Sequence, residues 1–510
     1  MNDRSHGYDI SVGYSYNFHR EMAPDWMDFC VGANGFEAPR RGSDYRYLDL
    51  GCGQGFGLCL LAAANPEAEF VGIDFQDDHI AHARSLAEAA ALTNVRFVQA
   101  DFIELAKAWP DKLGTFDYVG LQGILSWISA DLRAAVMQCV AHATRQGSLV
   151  YFGYNTQPGS LSATPFQHMA HLIKEKSGSS STDALARAIE LFDGLKKAKA
   201  PIFQVLPGLA RRLDSLASEP VGYLVHEYLT EHWIPLWHSE VSREAAAAGL
   251  AYVGTATVAQ ALLPDAIAPA TRALILQEAD GDLRQDLQDL VLNQPFRRDI
   301  FYRGTPRKTG GGGGLDPDAR LHLLSPPRPG APVVFKSTFG DVTVDHAAIT
   351  DLVERLSAGP APVSELMALR NPARQDTRRI LLLMLQSGIL MVGAAASGPT
   401  EKVERFNAAV ARAASEGVPY NHVAAAAFGS GVLVSEIDLL LIDAWLAQPK
   451  APDKDALADR LREKLTRLGR LNAGGSAPPP EADLRLQLGQ RVGLFLDRQL
   501  PHWRRLGVLQ

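Results

Sequence analysis

The sequence predicts an α/β protein whose core is a doubly wound, mostly parallel β-sheet with helical insertions. Short apolar runs alternate with helical stretches through residues 45–155, which is typical of consecutive βαβ units. The first apolar run ends in a glycine-rich turn that opens a helix, the place where open α/β sheets bind ligands. With 510 residues, the chain is long enough for about three domains.

The elements of the predicted sheet follow one another in a regular order. Five strands are expected at 47–50, 69–75, 94–102, 116–121 and 148–154, with helices at 56–64, 77–92 and 132–143 between them. A helix-then-strand unit at 240–258 and an apolar run at 299–304 complete the same sheet. The helical blocks at about 160–235 and 262–296 are therefore insertions, and we expect them to form a cap beside the carboxyl edge of the strands.

Composition divides the chain into four parts. Residues 1–305 hold the sheet and its cap, and 306–332 form a linker rich in Gly and Pro. Residues 333–396 have the order helix, turn, helix, strand, which predicts a winged-helix-like module. Residues 397–510 form a mostly helical tail, interrupted by a second Gly- and Pro-rich joint at 473–481.

Charge and cysteine content exclude several classes of protein. The chain has 50 Lys and Arg against 57 Asp and Glu, a net charge of −7, which argues against a generally basic nucleic-acid binder. The winged-helix-like module carries few basic residues in excess, so we interpret it as a dimerisation or protein-docking module, with a homodimer as one consequence. The 4 cysteines form no CxxC pair and have no metal-ligand spacing, so no metal site is predicted.

The location of the protein is predicted from two segments of the chain, the first residues and residues 380–400. The first residues have no apolar stretch of the kind that a signal peptide contains. Residues 380–400 lack formal charges, but Gln386, Ser387 and Gly388 interrupt them, so they indicate a helix, a turn and a strand and not a membrane span. We therefore expect a soluble cytoplasmic protein.

The glycine-rich turn carries the strongest chemical signal. Residues 48–57 read LDLGCGQGFG, with glycines that allow a sharp turn and a close approach of the backbone to a ligand. A dinucleotide fingerprint, G-x-G-x-x-G, would need glycine at position 56 or 58, where Phe56 and Leu58 stand. The turn therefore disfavours NAD. An ordinary loop with capping aspartates would explain each position singly, but not the whole set.

The register D-x-G-x-G-x-G resembles that of class I S-adenosyl-L-methionine (AdoMet)-dependent methyltransferases, whose sheet is Rossmann-like. Asp74 ends the second strand, where a carboxylate can accept the ribose hydroxyls, and Asp101 ends the third, where it can accept from the adenine amino group. Gln122 ends the fourth strand, beside the expected methyl group. The resemblance implies AdoMet as cofactor, bound by Tyr16, Asp49, Gly51, Cys52, Gly53, Asp74, Phe75, Asp101, Phe102 and Gln122.

A narrower resemblance covers the chain most convincingly over about 1–305. It is similar to bacterial methyltransferases that carry a methyltransferase regulatory domain, which are related to protein-lysine methyltransferases of outer-membrane proteins. The resembling segments are 14–24, 48–57, 123–127, 154–159, 224–229 and 428–432. His19 stands where relatives are expected to have tyrosine, and Ala23 where they are expected to have threonine. The resemblance implies methyl transfer from AdoMet.

Candidate residues on the acceptor side follow from their places in the chain. Tyr154 and Asn155 come just after the fifth strand, facing the expected methyl position, where they either contact substrate or serve the turn before Pro158. We take them as the catalytic candidates. The substrate candidates are Trp127, which belongs either to a pocket wall or to the core, and His226 and Glu227. The last two serve either as a base or substrate contact, or as a structural histidine beside a solvated glutamate. Tyr14 and Tyr16 of the N-terminal arm either cover the cofactor or pack on the sheet.

The predicted activity is therefore methyl transfer to an acceptor that the sequence leaves open. An amine has to lose its proton before it can accept a methyl group, and an apolar pocket that depresses its pKa favours this loss. A hydroxyl acceptor more often needs a general base. The first hypothesis is a protein amino group, that of lysine. The alternatives are O- or N-methylation of a small molecule or glycan, and an AdoMet-sensing interaction protein without enzymatic activity.

Overall fold

A seven-stranded mixed sheet forms the centre of the protein. The computed structural model describes residues 4–5, 8–9, 16–39, 42–216, 219–310, 314–374, 376–393, 400–447, 453–471 and 481–510. After a short antiparallel pair, β1 (Arg4–Ser5) and β2 (Tyr8–Asp9), the central strands are β3 (Arg46–Leu50), β4 (Glu69–Asp74), β5 (Val95–Gln99), β6 (Phe116–Gln122), β7 (Thr144–Asn155), β8 (Leu250–Thr255) and β9 (Phe296–Arg303). Their order is β5-β4-β3-β6-β7-β9-β8, and β9 alone among them runs antiparallel to its neighbours.

Helices cover both faces of this sheet, which is why its strands are apolar along most of their length. On one face, Tyr47 and Phe70 pack with α1 (Pro24–Ala33), α2 (Phe56–Ala64) and α3 (Asp77–Ala89). On the other, Leu48 and Val71 pack with α4 (Phe102–Lys107), α5 (Ala130–Ala143) and α11 (His238–Ala247). The predicted doubly wound α/β class is confirmed.

A helical cap stands over the carboxyl ends of the strands, as predicted. It consists of α6 (Thr164–Ser177), α7 (Ser181–Lys197), α8 (Ile202–Val205), α9 (Pro207–Leu216) and α10 (Val221–Tyr228). The cap has its own apolar core, in which the rings of Phe166 and Tyr228 meet edge to face at 5.0 Å. Thr156 Oγ1 donates to the carbonyl of Leu236 at 2.6 Å and ties the end of the cap to β7. The second insertion contains α12 (Leu263–Ala266), α13 (Pro269–Gln277) and α14 (Gly281–Leu292).

The segment predicted as a linker, 306–332, is partly ordered structure. Its residues Arg320–Leu323 form β10, which pairs antiparallel with both β13 (Ala361–Pro362) and β14 (Leu390–Gly393). The prediction of a featureless linker is therefore wrong at this strand, whose Leu321 is fully buried against the later helices. The same unit contains the hairpin β11 (Val333–Ser337) and β12 (Gly340–Val344), and the helices α15 (Thr350–Ser357), α16 (Val363–Ala368) and α17 (Thr377–Gln386).

The winged-helix interpretation of this unit stays a prediction, and so does its docking role. In a winged-helix module α17 would be the helix that reads DNA, and two arginines, one in it and one just before it, are engaged within the chain. Arg374 binds the Asp351 carboxylate at 2.8 Å, and Arg378 donates to the carbonyl of Ala33 at 3.3 Å. The two guanidinium groups are therefore occupied by contacts within the chain, and the prediction that the unit does not read nucleic acid stays a prediction.

The C-terminal region, residues 400–510, is mostly helical and contains one unpredicted hairpin. The helices are α18 (Glu401–Ser415), α19 (Glu436–Leu446), α20 (Lys454–Arg467), α21 (Glu481–Leu494) and α22 (Leu500–Arg505), and the hairpin is β15 (His422–Ala425) with β16 (Ser430–Leu433). The joint predicted at 473–481 lies, up to 480, outside the described residues. Among the helices described, none combines the length and the apolar character that crossing a membrane requires. The cytoplasmic location stays a prediction.

Candidate active site

The glycine-rich turn after β3 is held against the end of β4. The backbone N–H groups of Gly51 and Cys52 both donate to the carbonyl of Ile73, at 2.7 and 3.1 Å. Gly51 has φ +77°, and a Cβ atom there would fall 1.9 Å from Cδ1 of Ile124. Only glycine satisfies both conditions, so the turn can lie close to the end of β6 and leave a cleft between them.

Asp74, the last residue of β4, fixes the turn from the opposite side. Its Oδ2 accepts from the backbone N–H of Gly53 and its Oδ1 from that of Gln76, each at 3.0 Å. His79 Nδ1 lies 3.4 Å from Oδ1. Asp49 lies close by on β3, and burial together with the neighbouring Asp74 carboxylate raises the pKa of Asp49 to about 7. The site thus contains one carboxylate that two backbone N–H groups hold in place, with acceptor capacity left over, beside a second that burial favours in its neutral form.

The first of three connected cavities lies beside Asp74, and we call it the Asp74 cavity. It has an empty volume of about 770 Å³, which includes open solvent and is within the range of small-molecule sites. Asp101 lies at its edge, where the carboxylate caps α4 and accepts from the N–H of Ile103 at 2.7 Å. The other lining residues include Gly51, Gly53, Phe75, Gln76, His79, Phe102, Gln122, Gly123, Ile124, Trp127, Ile128 and Leu132.

The second cavity lies between the glycine-rich turn and the N-terminal arm, residues 16–19, and we call it the arm cavity. Its empty volume is about 610 Å³. Tyr16, Asn17, Phe18 and His19 form one wall, and Asp49, Cys52 and the backbone of the turn form the other. Burial lowers the pKa of His19, which favours its neutral form.

The third cavity, the cap cavity, opens under the helical cap. It has an empty volume of about 1480 Å³, again with open solvent included. It is lined by aromatic rings and by polar groups from the arm, the cap and β9, among them Asn17, His19, Trp127, Asn155, Arg211, Arg212, Tyr223, Glu227, Tyr228, Trp233, Phe296 and Arg298. Gln122 lines all three cavities, and its Oε1 accepts from the Tyr151 hydroxyl at 2.8 Å. The three cavities therefore meet at the end of β6.

Glu227 of the cap is the one carboxylic acid among the described residues that line the cap cavity. Asn155 Nδ2 donates to its Oε1 at 3.1 Å. Burial raises the pKa of Glu227 to about 7, against the opposing effects of Arg212, Trp233 and Asn155. A carboxyl group with this pKa exchanges a proton readily near neutral pH, as a general base requires.

The ten predicted cofactor residues all line the Asp74 cavity or the arm cavity. Three of them, Gly51, Gly53 and Gln122, line both cavities. Four line only the Asp74 cavity: Asp74, Phe75, Asp101 and Phe102. The other three line only the arm cavity: Tyr16, Asp49 and Cys52. Their role as AdoMet ligands stays a prediction. Tyr14 lies outside the described residues.

The predictions on the acceptor side have mixed outcomes. Tyr154 points away from the cap cavity: it is fully buried, and its hydroxyl donates to Asp299 Oδ2 at 2.6 Å on the other face of the sheet. Its predicted substrate role is therefore wrong, because successive side chains of a strand face opposite sides. Asn155, Trp127 and Glu227 line the cap cavity, whereas His226 is buried inside the cap and does not line it.

Several residues of the cap cavity were not predicted. His19 was noticed only as a departure from relatives, while Arg298 of β9 and Trp233 after the cap carried no local signal. Arg298 Nε lies 3.9 Å from Glu21 Oε1, and its guanidinium stands over the ring of Phe296 at 5.1 Å. These residues meet only through the fold.

Comparisons with known proteins agree with this arrangement. Residues 41–189 match the family described as a methyltransferase domain, and 220–303 match the family described as a predicted methyltransferase regulatory domain. The second match contains β8, β9 and Glu227, so the regulatory domain contributes two strands to the central sheet and a carboxylate to the cap cavity.

Individual proteins extend the likeness. An uncharacterized protein of Synechocystis sp. is 29% identical over 454 residues, covering 86% of this chain and 87% of that protein. The tRNA (guanine-N(7)-)-methyltransferase of Rubrobacter xylanophilus is 41% identical over 73 residues, 14% of this chain and 33% of that enzyme. The structure of PKMT2 from Rickettsia typhi in complex with AdoHcy has a TM-score of 0.69 at 15% identity, covering 97% of this chain and 99% of that one, and so shows the same fold. The chain is an AdoMet-dependent methyltransferase that carries a methyltransferase regulatory domain.

Proposed function

We propose that this methyltransferase acts on the side-chain amino group of lysine in a protein. The observation that carries the proposal is Glu227, a carboxyl group with a pKa of about 7 that Asn155 holds in the wall of the cap cavity. A lysine ammonium has no lone pair, so a proton acceptor at this point serves the reaction directly. The likeness of fold to PKMT2, a protein lysine methyltransferase of Rickettsia, supports the same acceptor.

The residues of the two smaller cavities fit the two ends of AdoMet. In the Asp74 cavity, a carboxylate stands where sugar hydroxyls need an acceptor, and the rings of Phe75 and Phe102 offer apolar surfaces for a base. In the arm cavity, the turn at Gly53 and the ring of Tyr16 bound a space for the amino-acid end. Gly51 lines both cavities without a side chain, so its backbone borders the space directly. When bound, AdoMet supplies an activated methyl group.

The residues of the cap cavity then prepare the acceptor. Trp127, Trp233 and Tyr223 form apolar walls, which lower the pKa of an entering lysine because burial disfavours its charged form. Glu227 takes up the ammonium proton on its carboxylate. Asn155 keeps that carboxylate oriented through its Nδ2. Gln122, at the junction of the cavities, limits how the acceptor approaches the cofactor side.

A hydroxyl of a small molecule or glycan is the second candidate acceptor, and His19 is the observation that favours it. This imidazole lines both the arm cavity and the cap cavity, and burial lowers its pKa. A neutral histidine between cofactor and acceptor could remove a hydroxyl proton. Glu227 lines the cap cavity but not the arm cavity, so variants of the two residues separate the two candidates.

The test is transfer of tritium from methyl-labelled AdoMet in a lysate of the source cells. We expect the label in the protein fraction, at lysine after acid hydrolysis, and we expect it to disappear when the lysines of the lysate are chemically blocked beforehand. The Asp74→Ala variant, whose cofactor binding we expect to be weakened, is the control and should transfer less label at AdoMet concentrations below saturation. Label in the low-molecular-mass fraction would support the hydroxyl acceptor. Binding of AdoMet without any transfer would support a sensor.

A further inference from the structure

We propose that the C-terminal region is a working part of the AdoMet site, and that Tyr420 is a positioning residue that acts through His82 on the glycine-rich turn. Tyr420 lies between α18 and β15, more than three hundred residues beyond the turn. The proposal concerns cofactor binding and does not depend on the identity of the methyl acceptor.

A chain of two hydrogen bonds joins Tyr420 to the turn. His82 of α3 lies between them, with its Nδ1 at 2.7 Å from the carbonyl oxygen of Gln54 and its Nε2 at 2.9 Å from the Tyr420 hydroxyl. Gln54 stands between Gly53 and Gly55 in the turn and lines the arm cavity. Two hydrogen bonds therefore link the hydroxyl of Tyr420 to a peptide group that lines the arm cavity.

The chemistry of these groups fixes the direction of both hydrogen bonds. A carbonyl oxygen can only accept, so Nδ1 of His82 carries the hydrogen. Burial lowers the pKa of His82, although the bond to Gln54 opposes this effect, and a neutral ring with hydrogen on Nδ1 has Nε2 as an acceptor. Tyr420 is thus the donor to Nε2. Without this donor, the His82 tautomer with hydrogen on Nδ1, which binds Gln54, is no longer stabilised by a hydrogen bond at Nε2.

The peptide group between Gln54 and Gly55 is held at its carbonyl oxygen by His82, and its N–H group is held as well. The carbonyl of Gln54 points to His82, and the N–H of the next residue, Gly55, donates to the carbonyl of Cys52 at 3.0 Å. Gly55 has φ +71° and precedes α2 directly. The orientation of this one peptide therefore sets where the turn ends and the helix begins, at the floor of the arm cavity.

The ring of Tyr420 supports the opposite wall of the same cavity. It stacks on Phe56 with centroids 4.6 Å apart and an angle of 12°, and meets Tyr16 edge to face at 5.1 Å. Tyr16 in turn lies 4.9 Å from the His82 ring. One side chain of the C-terminal region thus contacts the first residue of α2, the arm and the histidine behind the turn.

Other residues of the C-terminal region also contact α2 and the arm, so Tyr420 belongs to a larger interface. Asn65, after α2, donates to the carbonyl of Gly429 at 2.7 Å, and Lys402 donates to the carbonyl of Pro66 at 2.8 Å. His422 of β15 packs edge to face on Phe18 of the arm, at 5.2 Å. Both ends of α2 and the arm are therefore braced by residues 402–429.

The test is the Tyr420→Phe variant of the full chain, which keeps the ring and removes the hydroxyl. We expect calorimetric titration with AdoHcy to give a dissociation constant raised by about 3–10-fold, since Nε2 of the half-buried His82 loses its donor. The KM for AdoMet should rise by the same factor while kcat stays within about twofold, because the hydroxyl acts on cofactor placement and not on the acceptor. The matched control is Tyr302→Phe, the same change on β9 away from the three cavities.

A double-mutant cycle decides whether Tyr420 acts through His82. In the His82→Ala background, Tyr420→Phe should leave the AdoHcy dissociation constant unchanged within error, because the hydrogen bonds through His82 are already absent. The melting temperature of each variant without ligand separates cofactor placement from general stability. The proposal is overturned if Tyr420→Phe binds AdoHcy as wild type does, or if it weakens binding equally in both backgrounds.

Discussion

Replacing Glu227 by glutamine tests the chemistry proposed for the cap cavity. The variant keeps the size of the side chain and a carbonyl oxygen for Asn155 Nδ2, but it cannot take up a proton. In the wild type, burial raises the pKa of Glu227 to about 7 by favouring the protonated form. The carboxylate that serves as base therefore forms as the pH rises. We expect kcat/KM of the wild type to increase through pH 7 and then to level off.

The size of the effect follows from the acidity of the acceptor. A lysine with its ordinary pKa of about 10.4 is neutral in roughly one molecule in 10³–10⁴ at pH 7. A variant without the base can methylate only this neutral fraction, which the aromatic walls of the cap cavity increase by lowering the pKa of the lysine. We expect kcat at pH 7 to fall by about 10²–10³-fold, which lies within the range of roughly 10²–10⁴-fold that general acid–base catalysis contributes. The deficit should shrink by roughly tenfold per pH unit as the solvent deprotonates the acceptor.

The assay is tritium transfer to a lysine acceptor, with kcat and KM measured between pH 6 and 9.5. Glu231→Gln is the matched control, because Glu231 is an exposed carboxylate that follows the cap and does not line the cap cavity. AdoHcy affinity should be unchanged in both variants. A deficit that is constant over the whole pH range would show that Glu227 contributes to binding only, and unaltered activity at pH 7 would refute its role altogether.

Three further predictions concern the cofactor side and the stability of the sheet. Asp74→Ala removes the acceptor of two backbone N–H groups, and calorimetry should show AdoHcy binding weakened by about 1–3 kcal/mol. Gly51→Ala should lower the free energy of unfolding by about 1–3 kcal/mol, because φ is +77°; Gly194→Ala, inside α7 with open space around it, should raise it by about 0.5–1 kcal/mol in the same denaturant titration. Asp299→Ala should cost about 3–5 kcal/mol in chemical denaturation, because it deprives the buried Arg297 of a partner. Burial alone would raise the pKa of Asp299, but Arg297 and its other donors hold it below its usual range. The stability linked to this shift is present above roughly pH 4 and is lost as the pH falls further, so the difference in stability between wild type and variant should become smaller at low pH.

The sequence predicted the central sheet because its signals are local. Each parallel strand is a short apolar run followed by a turn and a helix, and both faces of the sheet are covered. Pairings between distant segments gave no such signal. The strand Arg320–Leu323 lies among Gly and Pro residues, and the hairpin of His422–Ala425 and Ser430–Leu433 lies among helices, so neither differs from its surroundings in composition.

The cofactor cavities were predictable for the same reason, and the acceptor cavity was not. The ends of parallel strands fall at one edge, so Asp74, Asp101 and Gln122 come together in any sheet of this order. Tyr154 could have been assigned correctly from the alternation of side chains once Asn155 was taken to face the cap. The cap helix offered no such rule: whether His226 or Glu227 faces the cavity depends on what the helix packs against.

Calorimetric titration of the purified protein with AdoMet, AdoHcy and NAD tests the central claim most directly. That claim is that the cleft between the glycine-rich turn and the end of β6 holds a sulfonium nucleoside. We predict saturable binding of AdoMet and AdoHcy at one molecule per chain, and no heat with NAD. Binding of NAD, or a folded protein that takes up neither AdoMet nor AdoHcy, would contradict the account.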